Sequence, residues 1–207
     1  MRAIATREDI RDLILDATDR LLARYGYKKM TMEDLAQEVG IGKGTIYLHF
    51  PSKEEVVLSH VDRIVERLKV ELSVIAGREQ SPATRLREML LTRVLYRFDS
   101  VQHYTESLSD LLAALRPGLL TRRRRHFEEE AQILADVLRE GKREGLFELR
   151  DAASTARTLL TATNALLPYS LSARELGKRE DVAAEAARVV ALLLHGLLKA
   201  DAKAERS

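Results

Sequence analysis

No cysteine and no tryptophan occur among the 207 residues. The first absence excludes disulfides, thiolate metal ligands and thiol redox sensing. Proline is scarce at four and glycine numbers only ten, so few positions force a helix to stop, and the alternation of apolar and polar residues that marks strands is missing. No apolar run is long enough to cross a membrane: the longest uncharged stretch, Thr158 to Ala173, is short and contains Asn164 and Pro168. An excess of one charge is lacking too. With 34 Lys and Arg against 32 Asp and Glu, the net charge is +2, which excludes a polycation that holds nucleic acid by bulk attraction. Met1 is followed by charged residues instead of an apolar segment, so no secretory leader is expected, and a cytoplasmic protein without a membrane partner is the expectation.

What is present is helical. Leu, Ala, Arg and Glu dominate, with apolar residues at helical spacing throughout. The expected fold is all-α, a small N-terminal three-helix module over residues 1–51 followed by a larger helical domain over residues 52–207.

Residues 31 to 53 carry the clearest signal. Thr31 with Asp34 forms an N-cap and its reciprocal acid, and Met32, Leu35, Ala36 and Val39 give one apolar face. Gly40 suits a turn needing positive φ, and Ala36 is small enough for a second helix to cross closely. That second helix, roughly Lys43 to Phe50, can turn Ile46 and Phe50 inward and leave Gly44, Thr45, Tyr47 and Leu48 outside. Two short helices in this order make a helix-turn-helix, and the outward Lys, Thr, Tyr and His have the chemistry to lie in a major groove. From Val39 to Ser52 there is no acid, only Lys43 and His49, with Lys53 next, while Glu8, Asp9, Asp12, Asp16 and Asp19 precede the segment.

Gly-Lys-Gly-Thr-Ile-Tyr-Leu-His-Phe followed by Pro-Ser-Lys-Glu-Glu resembles the recognition helix and fourth-helix start of TetR-type (tetracycline-repressor-like) transcriptional regulators. Ile14-Leu15-Asp16-Ala17 through Arg24-Tyr25-Gly26-Tyr27 is similar to that family's first helix and its glycine stop, so the resemblance covers about the first 60 residues. Gly42 stands where the family often has Ser or Thr, a weaker cap, and Leu48 occupies a position that varies in the family. Together with the outward face, the resemblance implies that Lys43, Gly44 and Thr45 approach base edges beside Leu48, while Tyr47, His49 and Lys53 hold phosphates.

Beyond the head, Ser52 caps a long helix with Glu54 and Glu55 in its first turn and Val56, Val57, Val61, Ile64, Val65 and Leu68 at helical spacing. The pattern breaks from Gly77 to Pro82. Leu86, Leu90, Val94 and Phe98 then repeat every fourth residue, a further helix runs to Leu115 with Arg116-Pro117-Gly118 as its expected end, and the next spans about Leu119 to Arg143. Glu140 to Phe147 also resembles a recurrent segment of the TetR-type regulatory domain. Near the carboxyl end, Val182, Ala186, Val189, Leu193 and Leu197 form one stripe and Ala183, Ala187, Val190, Leu194 and Leu198 a second. With the leucines at 159, 160, 166 and 167, these suit either one subunit's core or a four-helix interface with a twofold mate. The resemblance favours the homodimer, with Leu159, Leu166, Val190, Leu194 and Leu198 as interface candidates.

Tyr96, Phe98, His103 and Tyr104 gather in a chain with four Phe and six Tyr, which suits a ligand cavity and an ordinary core equally well. The resemblance implies a small-molecule effector near Val61, Tyr96, His103 and Tyr104, and such a lining favours a largely apolar molecule. The run Arg122 to Arg125 precedes Glu128 and Glu129 by helical spacing and is expected to be a solvated, self-paired face. The five histidines have no recognised ligand spacing, His126 is expected to pair with Glu129 or Glu130, Lys43 between Gly42 and Gly44 is no phosphate loop, and no cofactor or metal is called for. The expected function is a DNA-binding regulator, a repressor released from a palindromic operator by its effector. The rivals are a regulator governed by a protein partner and, more remotely, an all-α enzyme, for which no nucleophile, base or metal set can be singled out.

Overall fold

The computed structural model describes residues 6–104, 108–168 and 177–198. Among them are eight α-helices: α1 (Arg7–Lys29), α2 (Met32–Val39), α3 (Lys43–His49), α4 (Lys53–Ala76), α5 (Pro82–Val101), α6 (Leu108–Arg143), α7 (Ala152–Thr163) and α8 (Arg179–Leu197). Short 3-10 turns follow α5 at Gln102–Tyr104 and α7 at Asn164–Leu166. No strand occurs among the described residues, only an isolated antiparallel bridge between Phe147 and Leu198.

The chain divides into two compact units. The first, residues 1–64 with 101–120, contains α1 to α3, the start of α4 and the start of α6. Its core includes Ile14, Leu21, Leu22, Leu35, Ile46, Phe50 and Val56, all essentially inaccessible to solvent. Local chemistry sets its helix ends. Thr6 and Asp9 close a capping box on α1, and Gly26 interrupts that helix at φ 71°, ψ 168° before its last turn. The glycine stop is therefore real, with one further turn beyond it.

The second unit, residues 65–100 with 121–207, is built on Leu68, Leu72, Leu86, Met89, Leu90, Leu134, Leu138, Phe147 and Leu160. A buried ion pair ties three of its helices. Arg93 of α5 is 1% exposed, and its Nε donates to Glu130 Oε2 of α6 at 2.6 Å. Its Nη1 donates to Thr163 Oγ1 at 3.1 Å and its Nη2 to Asn164 Oδ1 at 2.8 Å, while Arg97 binds the other carboxylate oxygen.

Three expectations change. The helix expected to run on to Leu115 is divided, α5 ending at Val101 and α6 beginning at Leu108. Helix α6 does not end at Arg116-Pro117-Gly118 but continues through Pro117. Proline removes one backbone donor, and burial on either side holds the helix together: Leu111 and Leu115 before it, Glu130, Leu134 and Leu138 after it. Gly118 contributes by leaving room for Leu58, whose Cδ1 would lie 2.5 Å from an added Cβ. The double stripe on α8 also resolves differently. Val182, Ala186, Val190 and Leu194 are buried, and Leu159, Val190 and Leu194 belong to the second unit's own core. Leu166 and Leu198 are half-buried. A helix spends its largest apolar stripe on the nearest partner, here inside the subunit, and the outward face keeps Ala184, Ala191 and a 76% exposed Leu192.

Glu130→Ala should leave two guanidinium groups beside an emptied buried site and destabilise the chain by about 3–5 kcal/mol. Urea unfolding monitored by circular dichroism measures this, and a loss below 1 kcal/mol would show that the pair is not a structural tie.

Candidate nucleic-acid interface

The reading head is built from a well-capped helix and a poorly capped one. In α2 the Asp34 N–H donates to Thr31 Oγ1 at 3.1 Å, and Asp34 Oδ2 accepts from the Thr31 N–H at 2.9 Å. Gly40 ends α2 in the left-handed region at φ 75°, ψ 34°, where its N–H and that of Ile41 both reach the Ala36 carbonyl at 3.0 Å. The chain then reverses into α3, which Gly42 enters without any side-chain cap. What holds α3 is burial: Ile46 and Phe50 are both 0% exposed.

The opposite face is open. Lys43 and Gly44 are exposed, Thr45 is half-buried, and Tyr47 and Leu48 project outward. Lys43 Nζ lies 3.2 Å from Glu33 Oε2, both side chains being largely solvated, a contact of little strength that a phosphate can replace. An added Cβ at Gly44 would meet nothing within 4 Å, so the fold itself does not require glycine there.

His49 is half-buried, and its imidazole is held below the ordinary histidine range by burial first and by the charges of Arg7 and Arg11 second. It is therefore neutral at pH 7 and can donate a hydrogen bond without contributing charge. Arg11 carries more of the local electrostatics than the sequence suggests. Its guanidinium lies 4.3 Å from the Phe50 ring centroid, and it donates to the His49 carbonyl at 3.4 Å and to Ser59 Oγ at 3.2 Å. Arg7 and Arg11, one turn apart, were hidden in the sequence among the acids of α1; their spacing is the signal that could have found them.

Lys53 has partners of its own. Its ammonium donates to the carbonyls of Tyr27 at 2.9 Å and Met30 at 3.1 Å and sits 4.5 Å from the Tyr27 ring centroid. The residue expected to hold phosphate thus clamps the end of α1 to the start of α4, with one N–H remaining.

The residues expected to line an effector cavity are distributed over both units. Tyr96 belongs to the second, packed against its core. Val61 is half-buried on α4 in the first. His103 and Tyr104 lie together on the 3-10 turn of the first unit, ring centroids 4.1 Å apart, and both turn to Asp19 of α1. The Tyr104 hydroxyl donates to Asp19 Oδ1, His103 Nε2 lies 3.3 Å and the buried His60 Nε2 3.4 Å from the same oxygen, and His60 Nε2 is 3.1 Å from the Tyr104 hydroxyl. His60 hydrogen bonding, against the opposing cost of burial, holds the Asp19 carboxyl well below the usual carboxylate range, while burial and the Asp19 charge push the Tyr104 phenol up. Asp19 is therefore ionised and Tyr104 protonated at neutral pH. Sequence reasoning missed this junction because Asp19 lies more than 40 positions from His60 and more than 80 from His103 and Tyr104.

In the second unit Glu66, His126 and Glu129 offer ligand atoms within 4.8 Å of one another, spaced as metal ligands can be. The cation between them is Lys69, whose ammonium lies 2.7 Å from Glu66 and also binds Glu129. Burial opposes that charge, but the two carboxylates outweigh it and raise Lys69. The group is an ion-pair network, with His126 Nδ1 3.7 Å from Glu129 Oε2. In the arginine run, Arg125 Nε lies 3.9 Å from Glu129 Oε1. A depression of about 490 Å³ over Ala76 and Val137 is rimmed by Asp136, Arg139, Glu140 and Lys142, a lining too charged for an apolar molecule.

Residues 14–59 match the bacterial regulatory proteins of the tetR family, and residues 82–190, just over half of the chain, match the tetracyclin repressor-like C-terminal domain. An HTH-type transcriptional regulator of Lactococcus lactis is 36% identical over 81 residues, 39% of this chain and 41% of the relative. The nucleoid occlusion factor SlmA of Alteromonas mediterranea is 30% identical over 153 residues, 73% of this chain and 78% of that protein. The chain spans less than half the length of several other curated relatives it matches, 28% of a Bacillus subtilis regulator among them. A crystal structure of a transcriptional regulator from Cytophaga hutchinsonii has the same fold, with a TM-score of 0.75 at 21% identity over 91% of this chain and 98% of that one.

Two outcomes follow from this geometry. Gly44→Ala should raise stability by up to about 1 kcal/mol, as a better helix former in open space, yet weaken DNA binding in a fluorescence anisotropy titration; unchanged affinity would mean that DNA does not approach this backbone. Asp19 binds protons less readily folded than unfolded, so its contribution to stability is complete above roughly pH 4 and is lost as pH falls below it. Asp19→Asn should therefore flatten the acid limb of a stability-against-pH curve, and a limb of unchanged slope would remove Asp19 from that account.

Proposed function

We propose, from the premise that this chain belongs to the tetR family of bacterial regulatory proteins, that it is a homodimeric repressor which a small, largely apolar effector releases from a palindromic operator. The observation that carries the reading is the division of α3 into two faces: Ile46 and Phe50 wholly buried, Lys43, Gly44, Tyr47 and Leu48 open to an outside partner. A helix so short and so exposed on one side has the shape and chemistry to enter a major groove. Lys43, Gly44 and Thr45 are assigned to base edges with Leu48, and Tyr47 and His49 to phosphates, His49 as a neutral donor. Lys53 serves first as the clamp between α1 and α4 and can reach a phosphate only with its remaining N–H.

Two heads about 34 to 36 Å apart would reach successive major grooves. An effector that prefers a different head spacing lowers operator affinity by its differential affinity for the two states, about 5- to 150-fold for 1–3 kcal/mol. The twofold mate is assigned to the outward face of α8, around Ala184, Ala191 and Leu192, next to the half-buried Leu166 and Leu198; Leu159, Val190 and Leu194 support that face from beneath. A second reading, a DNA-binding regulator governed by a protein partner, draws on the engagement of His103 and Tyr104 with Asp19. The two polar groups expected to orient an effector already have an internal partner. Melting-temperature shifts and operator release across a panel of hydrophobic compounds separate the two, since only the first reading expects both responses to one compound.

The dimer assignment has its own test. Leu192→Glu should give a folded monomer in sedimentation with reduced operator affinity, because a charge is desolvated at the interface. Leu194→Glu places the charge in the subunit core and should lower the melting temperature instead. A Leu192→Glu protein that remains dimeric would move the interface off this face.

A further inference from the structure

Leu48 is 75% exposed, more than any other large apolar side chain described on α1 to α3; Leu13 and Tyr47 follow at 50% and 47%. A single exposed leucine on a surface is ordinary. This one stands at the centre of the outward face of α3, between Tyr47 and His49 and opposite the buried pair Ile46 and Phe50. Gly44 lies four residues earlier, on the same face of the helix. With nothing within 4 Å of an added Cβ there, the strip from Gly44 to Leu48 is bare backbone followed by an isobutyl group, without donor, acceptor or charge.

Such a strip can distinguish little in a duplex. The major-groove edges of the four base pairs differ in donors and acceptors, which an alkyl group cannot read, and in one apolar group, the C5-methyl of thymine. The bare backbone at Gly44 allows the helix to lie close enough for the side chain one turn later to reach the groove floor. Flanking Lys43, Thr45 and Tyr47 supply the polar contacts that fix its register. We propose that Leu48 is a specificity-determining residue that reads the methyl group of a thymine in each half-site. The inference rests on the reading of α3 as the DNA-reading helix and adds to it the chemistry of the base recognised.

The test begins with selection of bound sequences from random duplexes by the full chain. Each thymine of the selected site is then replaced in turn by deoxyuridine, which removes the methyl group and leaves every hydrogen-bonding atom in place. For the unaltered protein, one thymine per half-site should show a loss of about fourfold in affinity for each methyl removed, the worth of burying one such carbon. Leu48→Ala should bind the thymine site more weakly and respond equally to thymine and deoxyuridine there, with an unchanged melting temperature because the side chain is exposed. A selected half-site without thymine, indifference to every methyl group, or an undiminished methyl response in Leu48→Ala would overturn this inference alone. A chain that enriches no sequence at all would overturn the reading of α3 together with it.

Discussion

Seven residues do not hold a helix in water. The nucleation cost of the first turn is recovered only over a dozen or more residues, and α3 has neither that length nor a side-chain cap. Its existence depends on the burial of Ile46 and Phe50 in the core of the first unit, and on the left-handed turn at Gly40 that aims it. The same dependence explains how the outward face can be so unconstrained. Because the inward pair supplies the folding energy, Gly44, Tyr47 and Leu48 are free to be chosen for an outside partner, and even a helix-weakening glycine is tolerated there.

Each unit also contains a polar tie that joins elements distant in sequence, part-buried around Asp19 in the first and fully buried around Glu130 in the second. In the first, the Asp19 carboxylate gathers Tyr104, His60 and His103, linking α1 to α4 and to the turn after α5. In the second, Glu130 receives Arg93 and Arg97, and Arg93 goes on to Thr163 and Asn164. A buried charge is tolerable only when its partners are in place. These ties therefore act less as a source of stability than as a requirement that the helices meet in one arrangement. Helices α4 and α6 each contribute residues to both units.

The head was legible in the sequence because its signals are local. The reciprocal pair Thr31 and Asp34, the turn at Gly40 and the inward spacing of Ile46 and Phe50 each lie within a few residues, and each appears in the structure as expected. Signals that depend on tertiary placement were not legible. Pro117-Gly118 looked like a helix end, and only the buried residues on both sides carry α6 through it. Lys53 looked like a free cation because the carbonyls that hold it belong to Tyr27 and Met30. Likewise, the stripes of α8 gave periodicity without saying which neighbour each would face, and the subunit core took Val190 and Leu194.

The head's electrostatics follow the same rule of prior engagement. Arg20 and Arg24 share Glu38, Arg63 pairs with Asp12 and Asp16, and Lys43 lies beside Glu33. A phosphate that takes one of these cations must first displace a carboxylate, so the charge gained on binding is smaller than a count of basic residues would give. That suits a chain with a net charge of only +2. Weak attraction to DNA in general leaves discrimination to the few groups that reach base edges, and the groups proposed for that on α3 are a lysine already lightly paired, a threonine, a bare glycine backbone and an exposed leucine.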